Sequence, residues 1–200
     1  MDGTRVSWKW RLRVWWARWR LPALLARFDE EKVIAAFSAI SGGVSLGILT
    51  LAAGLTSLPL MFPPLGPSAF ILFTMPMSKT AASRTVVLGH GVSLLAGLFA
   101  WHLCAWTGAS PFVAAAIAFA VASTAMLTVD APHPPAAATA LVVALGMVQQ
   151  WWHPLVLMAA VVALVAQAAL FSRLVGLPKP LWRFKSISDD NPFDAGDAVG

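Results

Sequence analysis

The 200-residue chain is 58% hydrophobic and only 12% charged, with a mean hydropathy of +0.74, against about 25% charged residues in a soluble domain. From Val33 to Ser172 the only formal charges are Lys79, Arg84 and Asp130, so a bilayer and not water must solvate this stretch. The single Cys104 excludes an internal disulfide and a cysteine metal cluster, and the net charge of +5 belongs to an N-terminal arm rather than to a nucleic-acid-binding face.

Residues 1–32 form that arm, with eight basic residues and five tryptophans. On a helical wheel Trp8, Leu12, Trp15, Trp16 and Trp19 share one side, flanked by Lys9, Arg11, Arg13, Arg18 and Arg20, a pattern suited to a helix lying among lipid headgroups. No continuous apolar run precedes Pro22, which argues against a secretory signal. The membrane domain follows over 33–175, and 176–200 is read as a cytoplasmic tail. Segments 33–55, 86–106, 111–128 and 153–172 are apolar and long enough to cross a core of about 30 Å. Two pieces between them, 64–76 and 134–148, would reach only roughly 20 Å as helices. Ridges of small residues, Ala35-Ala39-Gly43-Gly47 and Gly89-Ser93-Gly97, predict close helix packing. Packing within one bundle is the expectation for both; self-association into a homo-oligomer is the other use of such ridges.

The short pieces resemble each other. PPLGPSAFILF at 63–73 aligns with PPAAATALVVA at 134–144, pairing both prolines, Ser68 with Thr139, and Ala69 with Ala140. Each lies between two full segments, and three segments per unit makes the second unit run opposite to the first. The expected fold is therefore an all-α polytopic membrane protein of about six helical segments, arranged as a 3+3 inverted repeat with two short, proline-started half-helices. With the basic N-terminus in the cytoplasm and six crossings, Lys79, Arg84 and Arg173 fall inside, and Trp101, Trp106, Trp151 and Trp152 collect at the outer interface. Four full crossings with two re-entrant pieces would instead put Lys79 and Arg84 outside. A bacterial inner (plasma) membrane with both termini cytoplasmic is the expected location.

Asp130-Ala131-Pro132-His133-Pro134-Pro135 carries the densest chemistry. Three prolines in four residues forbid a continuous helix, yet proline suits the first turn of a new one. A helix is thus expected to start at Pro134 or Pro135 with His133 near its cap, followed by the small residues Ala136, Ala137, Ala138 and Thr139. A helix start carries partial positive charge and unpaired N–H donors, and it attracts anions. Pro64, Gly66 and Ser68 offer a second start entering from the other side. The two would converge near mid-membrane, with backbone N–H groups and the Ser68 and Thr139 hydroxyls contacting a small anion. His133 is the candidate for charge or proton coupling because imidazole titrates near neutral pH; Asp130, His90 and Arg84 are candidates for coupling or gating. His102 and His153 read as interface residues beside tryptophans, and Gln167 as an interhelical hydrogen bonder. One Asp and scattered histidines make no catalytic triad or metal spacing, so neither an enzyme, a metal nor a cofactor is expected.

HPPAAATAL at 133–141, GPSAFILF at 66–73 and SRTVVLGH at 83–90 resemble the HPP family of integral membrane proteins over roughly residues 33–175. In that family, plastid and cyanobacterial members are associated with nitrite transport, and some bacterial members carry a cytoplasmic CBS pair, for which the tail after Pro180 is too short. The chain departs from the family pattern at Ala137, where glycine is common, at Pro67, and at Ser83 and Thr85 beside Arg84. The resemblance implies a transporter or channel for a small monovalent anion, nitrite first, with the bilayer as its other partner; the alternative is a membrane sensor or scaffold that moves nothing.

Overall fold

The computed structural model describes residues 20–148 and 150–177; the arm pattern from Trp8 to Trp19 and the tail beyond 177 lie outside them. The described chain is helical throughout: α1 Leu21–Leu25, α2 Glu30–Thr56, α3 Leu65–Thr74, a single 3-10 turn Lys79–Ala81, α4 Ser83–Thr107, α5 Pro111–Thr128, α6 Pro134–Ala144 and α7 His153–Leu174. Four helices (α2, α4, α5 and α7) are long and apolar enough to cross a membrane, and α3 and α6 are the short pair.

Local chemistry sets the boundaries. α2 begins three residues before the apolar run because Asp29 accepts the Lys32 N–H at 3.2 Å and Glu30 and Glu31 occupy the first turn, where carboxylates face the positive end of the helix dipole. α3 stops at Thr74 rather than 76, since Pro76 drives Met75 out of the helical region to φ −127° and ψ 55°. α6 stops at Ala144 rather than 148. Gly146 turns left-handed at φ 74°, its N–H meets the Val143 carbonyl, and the Met147 N–H meets the Val142 carbonyl, the Schellman closure of a helix end. α5 ends the same way with Asp130 in the left-handed position at φ 52° and the Ala131 N–H on the Met126 carbonyl. Asp130 therefore bends the chain out of α5 and aims the following residues back into the bundle.

α4 is the hub, packing against α5, α6 and α7. A Cβ on Gly89 would sit 2.9 Å from the His133 Cβ, one on Gly97 would sit 2.7 Å from both the Ala140 carbonyl oxygen and the Val143 Cβ, and one on Gly146 would meet the Trp101 ring. α6 therefore runs alongside α4 in the same direction, from the level of Gly89 to that of Trp101. α3 runs the opposite way, from Ser68 beside His90 toward the turn that opens α4. The two short helices point in opposite directions, as an inverted repeat requires, and α6 carries the chain across toward the tryptophan-lined end.

The two small-residue ridges have different fates. Gly89, Ser93 and Gly97 pack inside the bundle as expected. Ala35, Ala39, Gly43 and Gly47 do not: all four are exposed, and a Cβ on Gly43 or Gly47 would meet nothing within 4 Å among the described residues. α2 turns its opposite face inward, burying Ser41, Gly42, Ser45 and Leu49. A further close-packed set escaped the sequence reading: Ala114, Ala118 and Ala122 of α5 lie against Ala96, Ala100 and Cys104 of α4 and Ala140 and Ala144 of α6. Without a hydrophobic drive inside lipid, such alanine contacts hold helices together through close approach and dispersion. The outward faces carry Ile40, Ile48, Leu55, Phe99, Phe112 and Leu170, apolar side chains that suit an acyl-chain environment.

Candidate functional site

Ser68, His90, His133 and Thr139 meet in the interior, each 0% exposed. Ser68 lies one turn into α3, His90 two turns into α4, His133 caps α6 and Thr139 lies in its second turn. The Ser68 Oγ is 3.0 Å from the His90 Nε2 and 3.0 Å from the His133 Nε2. The Thr139 Oγ1 is 2.8 Å from the His90 Nδ1, and the His133 Nδ1 is 2.9 Å from the Thr80 carbonyl oxygen in the 3-10 turn. The Ser68 hydroxyl also reaches the Pro64 carbonyl at 2.9 Å. Ser68 and Thr139, the residues that pair in the sequence repeat, thus bond the two nitrogens of one ring. Four elements far apart in sequence converge on a contiguous set of hydrogen bonds inside an apolar bundle, where polar side chains are costly unless paired.

Proton assignment follows from the fixed ends. A carbonyl only accepts, so the His133 Nδ1 carries a proton for Thr80. In the neutral ring its Nε2 then accepts, and the Ser68 hydroxyl is the donor available. The Ser68 oxygen in turn accepts from the His90 Nε2–H, and the His90 Nδ1 accepts from Thr139. One direction then runs through four of the five contacts, Thr139 to His90 to Ser68 to His133 to Thr80, and leaves the approach of Ser68 to the Pro64 carbonyl without a proton.

The other sequence candidates divide clearly. Pro64 contributes its carbonyl. Gly66 faces away, lining a groove of about 900 Å³ between α2 and α3 with Gly42, Ala69 and Phe70. Asp130 is exposed and outside the cluster; it pairs with Lys79 at 2.6 Å, and that hydrogen bond, with the ammonium charge, holds its carboxyl below the usual carboxylate range. Arg84 donates to the Val129 and Asp130 carbonyls at 3.1 and 3.0 Å, a cation on the negative end of α5. These three tie the α3–α4 turn to the α5–α6 loop next to the buried cluster. Ala136 is buried and Ala137 half-buried in the first turn of α6.

Most of the expected backbone donors are not free. Pro134 and Pro135 have no N–H, and the Ala136 N–H is bonded to the His133 carbonyl at 2.8 Å. At the other start the Leu65, Gly66 and Ser68 N–H groups bond the Phe62, Pro63 and Pro64 carbonyls, and Pro67 has none to offer. The chemistry of the site therefore rests on hydroxyl and imidazole, not on helix-start amides. The Thr80 carbonyl, a full partner in the cluster, had no sequence signal, since a backbone oxygen carries none. The closeness of Gly89 to His133 was foreshadowed only by its place on a ridge.

The HPP transmembrane-region family model matches residues 29–180. Two relatives, both described as transmembrane proteins of Dictyostelium discoideum, are 34% and 37% identical to this chain over 84 residues, or 42% of its length. The matched part is 30% and 27% of the relatives' own lengths, so the chain spans under a third of each. No solved structure matches it. With the HPP block itself capping α6 and reaching into the buried cluster, and the family match covering most of the chain, this protein belongs to the HPP family of integral membrane proteins.

Proposed function

We propose that the chain is a transporter or channel for a small monovalent anion, with nitrite the first candidate, and that the anion binds at the Ser68–His90–His133–Thr139 cluster. One observation carries this: two imidazole Nε2 atoms converge at 3.0 Å on a single oxygen, that of Ser68, where the two half-helices meet. An anion oxygen is a better acceptor than a hydroxyl at that point. In the closed arrangement Ser68 occupies the place of the anion; separation of α3 from α6 opens it. Nitrite is suggested by the plastid and cyanobacterial branches of the family, and a two-oxygen planar anion suits two imidazoles side by side.

Uptake by the purified full chain in liposomes tests the proposal. Nitrite should enter faster than in protein-free vesicles, and sulfate should not. Thr139→Trp should abolish the uptake by filling the site from α6. Equal entry of sulfate, or undiminished uptake by the Trp variant, would place transport elsewhere or remove it.

The proposed orientation puts both termini and the Lys79 turn in the cytoplasm of a bacterial inner membrane, since positive charge is retained inside. Lys79 is half-exposed and Ser83 is buried, so Lys79 is the position to probe. A Lys79→Cys chain with Cys104→Ala should react with an impermeant thiol reagent only after the cytoplasmic face is opened. Reaction in intact cells from the outside would reverse the topology.

A further inference from the structure

We infer that the cluster is a binding site for one proton, held on His133 and switched by the Ser68 hydroxyl, and that the anion moves together with that proton; this rests on the transport function proposed above. The count of protons against contacts carries the inference. The cluster makes five contacts: Thr139–His90, His90–Ser68, Ser68–His133, His133–Thr80 and Ser68–Pro64. With both rings neutral there are four protons to fill them: one on each hydroxyl and one on each ring. One contact is always unmatched. If the Ser68 hydroxyl points at His133, the 2.9 Å approach to Pro64 is two oxygens without a proton. If it points at Pro64, the 3.0 Å approach to His133 is two lone pairs facing each other.

A fifth proton resolves this. It binds the His133 Nε2 lone pair, making an imidazolium whose Nε2–H donates to Ser68. The Ser68 hydroxyl turns to the Pro64 carbonyl, and its oxygen accepts from both rings. Every contact then has one donor and one acceptor. Ser68 reaches three partners at hydrogen-bond distance, which is the full capacity of a hydroxyl.

A sixth proton has no place. On the His90 Nδ1 it would meet the Thr139 hydroxyl proton, and His90 is the only partner Thr139 has among the described residues. It would also set two imidazoliums side by side, with ring centroids 5.2 Å apart. The charged and titratable groups around His133 are few. α3 contributes none and α4 contributes His90. At the rim stand Lys79 of the turn, Arg84 at the start of α4 and Asp130 of the loop, with Lys79 and Asp130 already paired. A buried imidazolium without a counter-ion is costly, so the charge forms when the anion arrives and takes the acceptor place that the Ser68 oxygen holds between the two rings, and each ligand favours the other. The half-exposed Thr80 at the other side of His133 marks where the proton enters or leaves.

Proteoliposomes holding the full chain and an internal pH dye test this with a nitrite gradient, after subtraction of protein-free vesicles. The expected result is one proton moved with each nitrite and an initial rate insensitive to valinomycin and potassium, because a proton and a monovalent anion together carry no net charge. Nitrite uptake that carries net charge and no proton would overturn the inference and leave the transport function standing. His133→Gln keeps an N–H for Thr80 and an oxygen toward Ser68 but cannot hold the proton. Its proton movement should fall to the protein-free background, and proton movement at the parent level would overturn the assignment to His133.

Imidazole nitrogen NMR of the parent protein supplies a readout independent of flux. His90 should carry its proton on Nε2 and His133 on Nδ1 without anion, with one ring doubly protonated when nitrite is added. The same tautomer on both rings, or no added proton, would overturn the inference. One-proton uptake on adding nitrite, in a protein that shows no flux, would support the proton site and overturn transport instead.

Discussion

Ser68→Ala is expected to lower stability sharply and to abolish flux, out of proportion to the loss of one oxygen atom. The hydroxyl serves two imidazole nitrogens and the Pro64 carbonyl, and both rings are 0% exposed. Each buried polar group left without a partner costs about 1–3 kcal/mol, so about 3 kcal/mol or more is expected in the thermal unfolding of the detergent-solubilised chain. Ser45→Ala is the control. Ser45 is also 0% exposed, but its hydroxyl has no hydrogen-bond partner among the described residues, so its removal should be neutral or stabilising. Ser68→Thr keeps the hydroxyl and should retain part of both stability and flux. Matching melting temperatures for Ser68→Ala and Ser45→Ala would mean that the cluster is not bonded as described.

Gly97→Leu is expected to be the most damaging single change outside the cluster. The first atom added would lie 2.7 Å from the Ala140 carbonyl oxygen and 2.7 Å from the Val143 Cβ. Neither is the end of a flexible side chain, so α6 as a whole must shift. Overpacking of a well-filled core usually costs about 1–3 kcal/mol, and a displaced backbone belongs at the top of that range or above it. Function should fall further, because α6 carries His133 and Thr139 to partners on three other elements. Gly47→Leu introduces the same side chain where nothing among the described residues lies within 4 Å and should leave the monomer's unfolding unchanged. A Gly97→Leu chain that unfolds and transports like the parent would refute the packing of α4 on α6.

The sequence by itself determined a great deal of this protein. The stretch from 33 to 172, with Lys79, Arg84 and Asp130 its only charges, required a membrane, because so apolar a run has no place in water. Helices in lipid satisfy their own backbone, which made four long apolar segments legible to within a few residues. Proline marked the starts of α5, α6 and α7, because its fixed φ and missing N–H suit only that end. The HPP block and its repeat partner singled out His133, Ser68 and Thr139, and family membership followed.

Tertiary structure decided the rest. Whether His90 faced lipid, an interface or the interior was open from its spacing, and only the positions of α3 and α6 put Ser68 and Thr139 on its two nitrogens. Which small-residue ridge packs was equally hidden: both have the same period, yet one is buried against α6 and the other faces outward. Most of the amides expected to be free at the helix starts are not, because Pro67, Pro134 and Pro135 carry none and neighbouring carbonyls took those of Leu65, Gly66, Ser68 and Ala136. Periodicity reports which residues share a helix face. It does not report what that face meets, and hydrogen-bond partners 22 to 65 residues apart are chosen by packing, which no local pattern encodes.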